Sequence, residues 1–412
     1  MQPEVLSGID YDVTIVGGGM VGATLACSLS GQGLKIALIE QVLFNEPQQP
    51  SYDDRGITLS ASSQRIFQAL GLWDKISQFA NPIEQIHVSE QSSFTVVRLH
   101  ASDVKQAQLA FVIPAKLLGQ CLLEQVAQAE DIDYFCPAEL LNFKNDNVST
   151  QIHLKYEEKE IEFVTSLLVA SDGSFSSIRE QEGLDTYIKD YGQTAIVCNI
   201  TTQKKNNNTA FERFTSHGPL AILPLSSHNS VCVYTVARND SAFYMQCDEE
   251  IYKEQLIKEF GRRLGNIEKI GQRRSYPLRL IECKEQVKPG LIILGNAAHT
   301  IHPNAAQGLN LALRDVAGLA ECIIKAKKNN EPLGSDVTLK RYLEIRVDDQ
   351  NNIIRFTDSI AEWFYNESVM KKFARRLAMT ALEKVPFIKR EFIKQGMGVA
   401  NKQPKLVRGL SL

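Results

Sequence analysis

Three glycines, Gly17, Gly19 and Gly22, stand in the spacing G-x-G-x-x-G, and Glu40 follows 18 residues after the last of them. Glycines so spaced let a backbone turn sharply and approach a bulky anion, and an acid at that distance can accept both hydroxyls of a ribose. The set suits the adenosine diphosphate half of a dinucleotide. An acid at the ribose favours an unphosphorylated sugar, hence FAD or NAD over NADP. Two more turns carry groups of the same kind: Asp172-Gly173, and Gly295-Asn296 with Gly308, Leu309 and Asn310 further along. No metal site is expected, because His299 and His302 have no third ligand nearby. The eight cysteines, at positions 27, 121, 136, 198, 232, 247, 283 and 322, contain no C-x-x-C pair and read as reduced thiols of a cytoplasmic protein.

Each candidate needs an element to present it. Residues 12–16 are a β-branched run leading into the glycines, residues 23–29 a helix-forming run, and residues 36–39 an apolar run ending on Glu40. Gly17 permits the turn, Gly19 leaves room for a pyrophosphate, and Gly22 lets helix and strand pack closely. The helix start supplies N–H groups and a partial positive charge. Residues 167–170 predict a buried strand that places Asp172 at the carboxyl edge of a parallel sheet, or as the N-cap of a following helix. Residues 291–294 predict a third such strand, followed by a helix over 309–325. The N–H groups of Leu309 and Asn310 would then face a ligand's polar edge, such as the carbonyl-bearing end of an isoalloxazine ring. Arg55 follows a polar surface loop, 41–53, and could neutralise a pyrophosphate or pair with Asp53 or Asp54.

Between these turns, residues 86–99 predict one or two strands, 116–129 a helix, and 138–156 a small meander. Residues 187–244 read as an antiparallel sheet, followed by a helix over 249–264 and a strand over 273–280. The fold class is therefore α/β: a Rossmann-like nucleotide-binding domain (1–75, 108–180 and 285–330), an inserted antiparallel-sheet substrate domain (76–107 and 181–284), and a helical C-terminal region (331–412). With 44% hydrophobic and 23% charged residues over 412 positions, the chain reads as soluble and globular. It has no run of 18 apolar residues and an acidic N-terminus without an apolar segment, so neither a membrane span nor a secretory signal is expected. The net charge of -3 is uneven: residues 366–412 hold 11 Lys/Arg against 3 Asp/Glu, and the rest 34 against 45. Basic and apolar residues alternate in that tail around Pro386, which suits a membrane surface, a partner protein, or a helix packed on the body with a solvated basic face.

Taken together, the three turns resemble those of the flavoprotein aromatic hydroxylases of the p-hydroxybenzoate hydroxylase type. AFERFTSHGPLAILPL, RRSYPL and LGNAAHTIHP look like the ubiquinone-biosynthesis branch, with the nearest likeness to the 2-polyprenyl-6-methoxyphenol hydroxylases. The resemblance implies an FAD-dependent monooxygenase that hydroxylates the ring of a polyprenyl phenol, using NADPH or NADH and O2 through a flavin C4a-hydroperoxide. By motif, Gly17, Gly19, Gly22, Glu40 and Arg55 would serve the adenosine, phosphates or ribityl chain. Asp172, Gly173, Gly295, Asn296, Gly308, Leu309 and Asn310 would serve the rest of the cofactor. Phe214, Pro224 and Pro303 are substrate-side candidates, and His217 is a weak candidate proton relay that reads more readily as a packed or surface histidine. The implied partners are a polyprenyl phenol, the inner face of a membrane, other ubiquinone-biosynthesis proteins and a second copy of the chain, with no nucleic acid. The alternatives are a non-catalytic FAD-stabilised component of a biosynthetic complex and a flavin oxidoreductase for another phenol. Two positions depart from the family pattern: Asn296 stands where an acid is usual, and Ala306 where a glycine is usual. If position 306 needs a positive φ, alanine there stores strain.

Overall fold

The computed structural model describes residues 9–46, 49, 51, 55–91, 93–365, 369–400 and 403–412. The expectations for the N-terminal segment before Ile9 and for Asp53 and Asp54 lie outside them.

The strands Val13–Val16, Ile36–Ile39, Leu168–Ala170 and Leu291–Ile293 are buried at every position. Such uninterrupted apolar runs are what a strand covered on both faces requires. They pair in parallel in the order Leu291–Ile293, Leu168–Ala170, Val13–Val16, Ile36–Ile39, then Ile132–Phe135. Val287–Lys288 adds an antiparallel edge. One face is covered by the helices Met20–Leu29 and Gln307–Lys328, with Leu25, Leu29, Val316, Leu319 and Ile323 packed on Val13, Ile15 and Leu38. The other is covered by the meander Ala138–Asn145, Thr150–Tyr156 and Lys159–Thr165, through Phe143, Ile152, Leu154 and Phe163.

The second large sheet runs in the order His299–Thr300, Arg274–Cys283, Thr186–Thr202, Asn229–Ala237, Pro219–Pro224, Thr209–Phe214, Gln85–Glu90 and Val96–His100. It is not wholly antiparallel: Thr209–Phe214 pairs in parallel with Gln85–Glu90. No hairpin joins these two strands, so no turn dictates their direction. The outer face carries Leu220, Ile222, Cys232 and Tyr234 under the helix Glu249–Phe260. The inner face meets a small antiparallel sheet of Gly56–Ser60, Ala110–Pro114 and Asn81–Ile83, where Ala210 and Val231 touch Ile83 and Val112. A Cβ on Gly56 would lie 2.2 Å from Val231 Cγ2, so glycine is what lets the two sheets close.

The C-terminal helices Val369–Lys384 and Pro386–Gly396 are packed on the body, burying Met379, Ile393 and Met397 with Val97 and Leu99. Pro386 occupies the first turn of the second helix, where its missing N–H costs nothing. All eight cysteines are free thiols.

Candidate cofactor site

The three turns meet at the carboxyl ends of three neighbouring parallel strands. Gly17 has φ +100°, and a Cβ there would lie 2.4 Å from the Ser171 carbonyl oxygen, so the first and second turns touch backbone to backbone. The Ser171 hydroxyl donates to the carbonyls of Val16 and Gly17, at 3.0 and 2.9 Å. Gly295, with φ +64°, packs on Val21 in the first turn of the glycine-started helix. Arg179 staples the second turn to the third, donating to Ala297 O at 2.6 Å and Ser174 O at 2.8 Å. This gathering is the crevice where open α/β sheets bind ligands.

The helix Met20–Leu29 begins at Gly19 with no side-chain cap. Its first N–H groups are therefore available to an anion, with the helix dipole behind them. Gly22 packs as expected: a Cβ would sit 2.0 Å from Gly17 O. Gly19 differs from expectation, because the Ser51 hydroxyl already takes part of the room beside it, 2.8 Å from an ideal Cβ. The loop before Ser51 is also less superficial than its composition predicts, since Gln49 is buried and donates to Val42 O.

Glu40 accepts from the N–H groups of Gly18 at 2.7 Å and Val42 at 2.9 Å. Burial raises its carboxyl above the ordinary range, and these N–H bonds oppose the rise. A ribose hydroxyl would share this carboxylate with those donors. Gly18 went unnoticed between two motif glycines, yet a Cβ there would press on Glu40 Cβ at 2.8 Å.

Asp172 is not the N-cap. Ser176 caps the short helix Ser177–Gln181, accepting from Arg179 N at 3.1 Å. Asp172 Oδ2 has only long contacts to Ile178 N and Ser177 Oγ, at 3.5 and 3.4 Å, and Oδ1 is buried with no protein partner. Asn296 is exposed, and its backbone carbonyl accepts from Thr300 Oγ1 at 3.1 Å.

The helix Gln307–Lys328 starts two residues earlier than its pattern predicts. The N–H groups of Gln307, Gly308 and Leu309 precede its first helical hydrogen bond, whereas that of Asn310 has a helical acceptor. This corrects the role of Asn310. Its buried side chain accepts from Ser60 N at 2.8 Å and Ser63 Oγ at 2.7 Å, and donates to Thr58 O at 2.8 Å and Ala306 O at 2.7 Å. It is a clamp between the loop and the strand Gly56–Ser60.

Below the loop lies a buried ionic network. Asp315 takes His299 Nε2 and Arg346 Nε, each at 2.7 Å, and Asp349 takes Arg346 at 2.6 Å and Arg314 at 2.8 Å. Burial alone would raise Asp315, but Arg346 and His299 outweigh it and hold the carboxyl below its ordinary range. His302 is pushed down to about 4 by burial and is neutral, with Nδ1 accepting from Asn304 N at 3.3 Å.

Position 306 does need a positive φ: Ala306 has φ +51° and ψ +41° at the N-cap. A left-handed alanine costs about 1–2 kcal/mol, and glycine's extra unfolded-state entropy returns about 0.5–1 of it. Ala306→Gly is therefore expected to raise unfolding stability by about 0.5–1 kcal/mol and to slow flavin loss. Unchanged denaturant midpoint and flavin retention would count against stored strain.

Other candidates fall elsewhere. The Arg55 guanidinium stacks on the Tyr276 ring at 4.7 Å, and Phe214 is buried on the inner face of the large sheet. Pro303 immediately precedes the short 3-10 turn Asn304–Ala306. Pro224 shares strand parity with Leu220 and Ile222, so it lies on the outer, helix-covered face rather than toward the cofactor. His217 is exposed in the turn between Thr209–Phe214 and Pro219–Pro224.

The site's polar atoms fit a flavin dinucleotide: an uncapped helix start for phosphate, a half-satisfied acid for ribose, and buried, unpartnered Thr58 Oγ1, Asp172 Oδ1, His302 Nε2 and both side-chain polar atoms of Asn304 for hydroxyls and ring edges. The FAD binding domain family matches residues 10–357. The chain belongs to that family. This FAD-binding protein is 31% identical over 404 residues to the ubiquinone hydroxylase UbiL of Rhodospirillum rubrum, covering 97% of this chain and 93% of that one. It is 27% identical over 392 residues to the 3-demethoxyubiquinol 3-hydroxylase of Escherichia coli, covering 94% and 98%. Its fold matches the crystal structure of the p-nitrophenol 4-monooxygenase of Pseudomonas putida with a TM-score of 0.79 at 15% identity, covering 95% and 99%. In this FAD-binding fold, Glu40, the start of the helix Met20–Leu29, Asp172, Asn296 and the N–H groups of residues 307–309 are the groups that would hold the cofactor.

Proposed function

We propose that the chain is an FAD-dependent hydroxylase of ubiquinone biosynthesis, acting on the aromatic ring of a polyprenyl phenol with NADPH or NADH and O2. The carrying observation is the gathering of three turns on one crevice. The names of the relatives that align along nearly the whole chain support the same reading. Bound FAD would supply the electrons and oxygen activation for transfer of one oxygen atom to a ring. The chain's own work is to bind and orient the cofactor, keep water out, and manage the phenolic proton. Glu40 and the uncapped helix start anchor the adenosine end. The N–H groups of Gly308 and Leu309 at the start of the helix Gln307–Lys328 would be the donors for the ring's carbonyl end, where the helix dipole favours negative charge. Ala210, Leu223 and Val231 on the inner sheet face exclude solvent. NADH or NADPH oxidation by the flavin-loaded protein should be stimulated by a short-chain methoxyphenol, with hydroxylated product formed. Flavin-bound protein that gives neither would refute the reading.

The same substrate class implies a membrane surface. Among the described residues no helix is long and apolar enough to cross a membrane. The C-terminal helices expose Phe373, Leu377 and Phe387 at 70%, 62% and 73%, beside exposed Lys384, Arg390 and Lys394. Their opposite faces are part of the core, so point substitution tests docking more cleanly than deletion. Burying one phenylalanine is worth about 1.5–3 kcal/mol. Phe373→Ser with Phe387→Ser should weaken binding to anionic vesicles at least about tenfold while leaving flavin content unchanged. Equal vesicle binding by this variant would discard the idea.

A further inference from the structure

Glu212 is a carboxylate in an apolar row. Along Thr209–Phe214 its neighbours of the same parity are Ala210 and Phe214, and across the sheet it pairs with Val88 and Ala221. Ala221 pairs in turn with Val233, and Val233 with Val197. Ala210 meets Ile83 from the small sheet, so this is the inner face. The alternate residues point outward: Phe211 meets the ring of Phe260, and Arg213 donates to Glu259 O at 2.7 Å. The inner face is tied to the cofactor loop by one strand. Gly56 lies under Val231, the preceding Arg55 stacks on Tyr276, and Thr58 and Ser60 hold Asn310.

We propose that Glu212 is the acid–base group on the substrate side, its carboxylate accepting the phenolic proton of the bound aromatic ring. This rests on the hydroxylase reading above. Glu212 lies deep inside the protein yet keeps part of its surface uncovered. It has no ion pair or hydrogen bond among the described residues. Burial alone pushes its carboxyl up to about 7, near the optimum for a group that must both take and return a proton. Among the described residues, the charged groups on this face include Glu90, held by Arg375 and Arg376 from the helix Val369–Lys384; Arg274 at the far end of the row; Arg55, stacked on Tyr276; and Lys189, paired with Asp358 and Glu362. The phenolic O–H bond breaks as a carboxyl O–H forms. The proton returns to the same oxygen once the ring is hydroxylated, and O2 and the nicotinamide supply the redox balance.

The test compares wild type with Glu212→Gln, using 2-methoxyphenol as probe. An unpaired buried carboxyl has a folded pKa above its unfolded value, so it costs stability as pH rises through about 7. The amide variant should therefore match wild type at about pH 5 and melt higher at about pH 8.5. It should keep its flavin. Its kcat should fall at least about 100-fold, and the rise of the wild-type rate through about pH 7 should vanish. Glu212→Asp should partly restore the rate and its pH dependence. Flavin-loaded Glu212→Gln with wild-type kcat and the same pH profile overturns this proposal alone. Wild-type protein that oxidises no nicotinamide with any phenol overturns the hydroxylase reading, and this proposal with it.

Discussion

Gly22→Ala is expected to yield a protein that purifies without flavin. The added methyl would lie 2.0 Å from the Gly17 carbonyl oxygen, 2.7 Å from Ser171 Oγ and 3.1 Å from Ile15 Cγ2. The nearest of these is backbone, so no side chain can swing aside. The Gly17 carbonyl accepts from Ser171 Oγ, so moving it also disturbs the second strand end. Overpacking typically costs about 1–3 kcal/mol, and backbone displacement adds to that. Because the displaced atoms are those that present the helix start, flavin affinity should fall by more than about 100-fold, about 2.7 kcal/mol. Gly396→Ala is the control: it lies in a helix, has no atom within 4 Å of its would-be Cβ, and should leave flavin content untouched. Absorbance of the two purified variants decides the matter. A Gly22→Ala protein as yellow as wild type would mean that this turn does not carry the cofactor.

Asn310→Ala should destabilise the whole molecule as well as the site. The substitution leaves Ser60 N–H and Thr58 C=O without their side-chain partner inside the protein, and releases Ser63 and the Ala306 carbonyl. A buried polar group stranded in this way costs about 1–3 kcal/mol. With some relaxation, a loss of about 3–5 kcal/mol is expected. At about 2.1 cal/mol/K of unfolding entropy per residue, this lowers the melting midpoint of a 412-residue chain by about 5 °C. Flavin should leave faster too, because the left-handed turn at Ala306 loses an anchor. Thermal unfolding followed by circular dichroism, alongside flavin release, measures both. An unchanged midpoint would show that the clamp is dispensable.

Much of the cofactor site was readable in the residues themselves. Gly17, Asp172 and Gly295 follow short apolar runs at the ends of strands, Gly22 sits in the first turn of the helix Met20–Leu29, and spacing along one segment is enough to define each turn. The positive φ at position 306 was raised only as a condition, by the family's usual glycine there, and the structure supplied it. What spacing did not reveal was how the segments share atoms. Asn310 read as a backbone donor to ligand, but it sits 250 residues from the strand it holds. Asp172 read either as a carboxylate at the sheet edge or as a cap, and only the folded turn shows that Ser176 caps the helix. The parallel pairing of Thr209–Phe214 with Gln85–Glu90 lay between two insertions with no turn to announce it.

By itself the sequence determined which stretches turn, which are buried on both faces, and that a dinucleotide with an unphosphorylated ribose is bound. Those properties depend on neighbours a few residues away, through glycine's missing side chain, the period of apolar residues and the start of a helix. The tertiary structure alone decided which way a residue faces and what it meets there. AFERF alternates Ala210, Glu212 and Phe214, yet only the lateral pairing with Val88 and Ala221 puts Glu212 on the inner face of the large sheet, and only the fold leaves His217 in water. Strand pairing joins residues far apart in the chain, and a shift of one position would have sent that carboxylate to the opposite face.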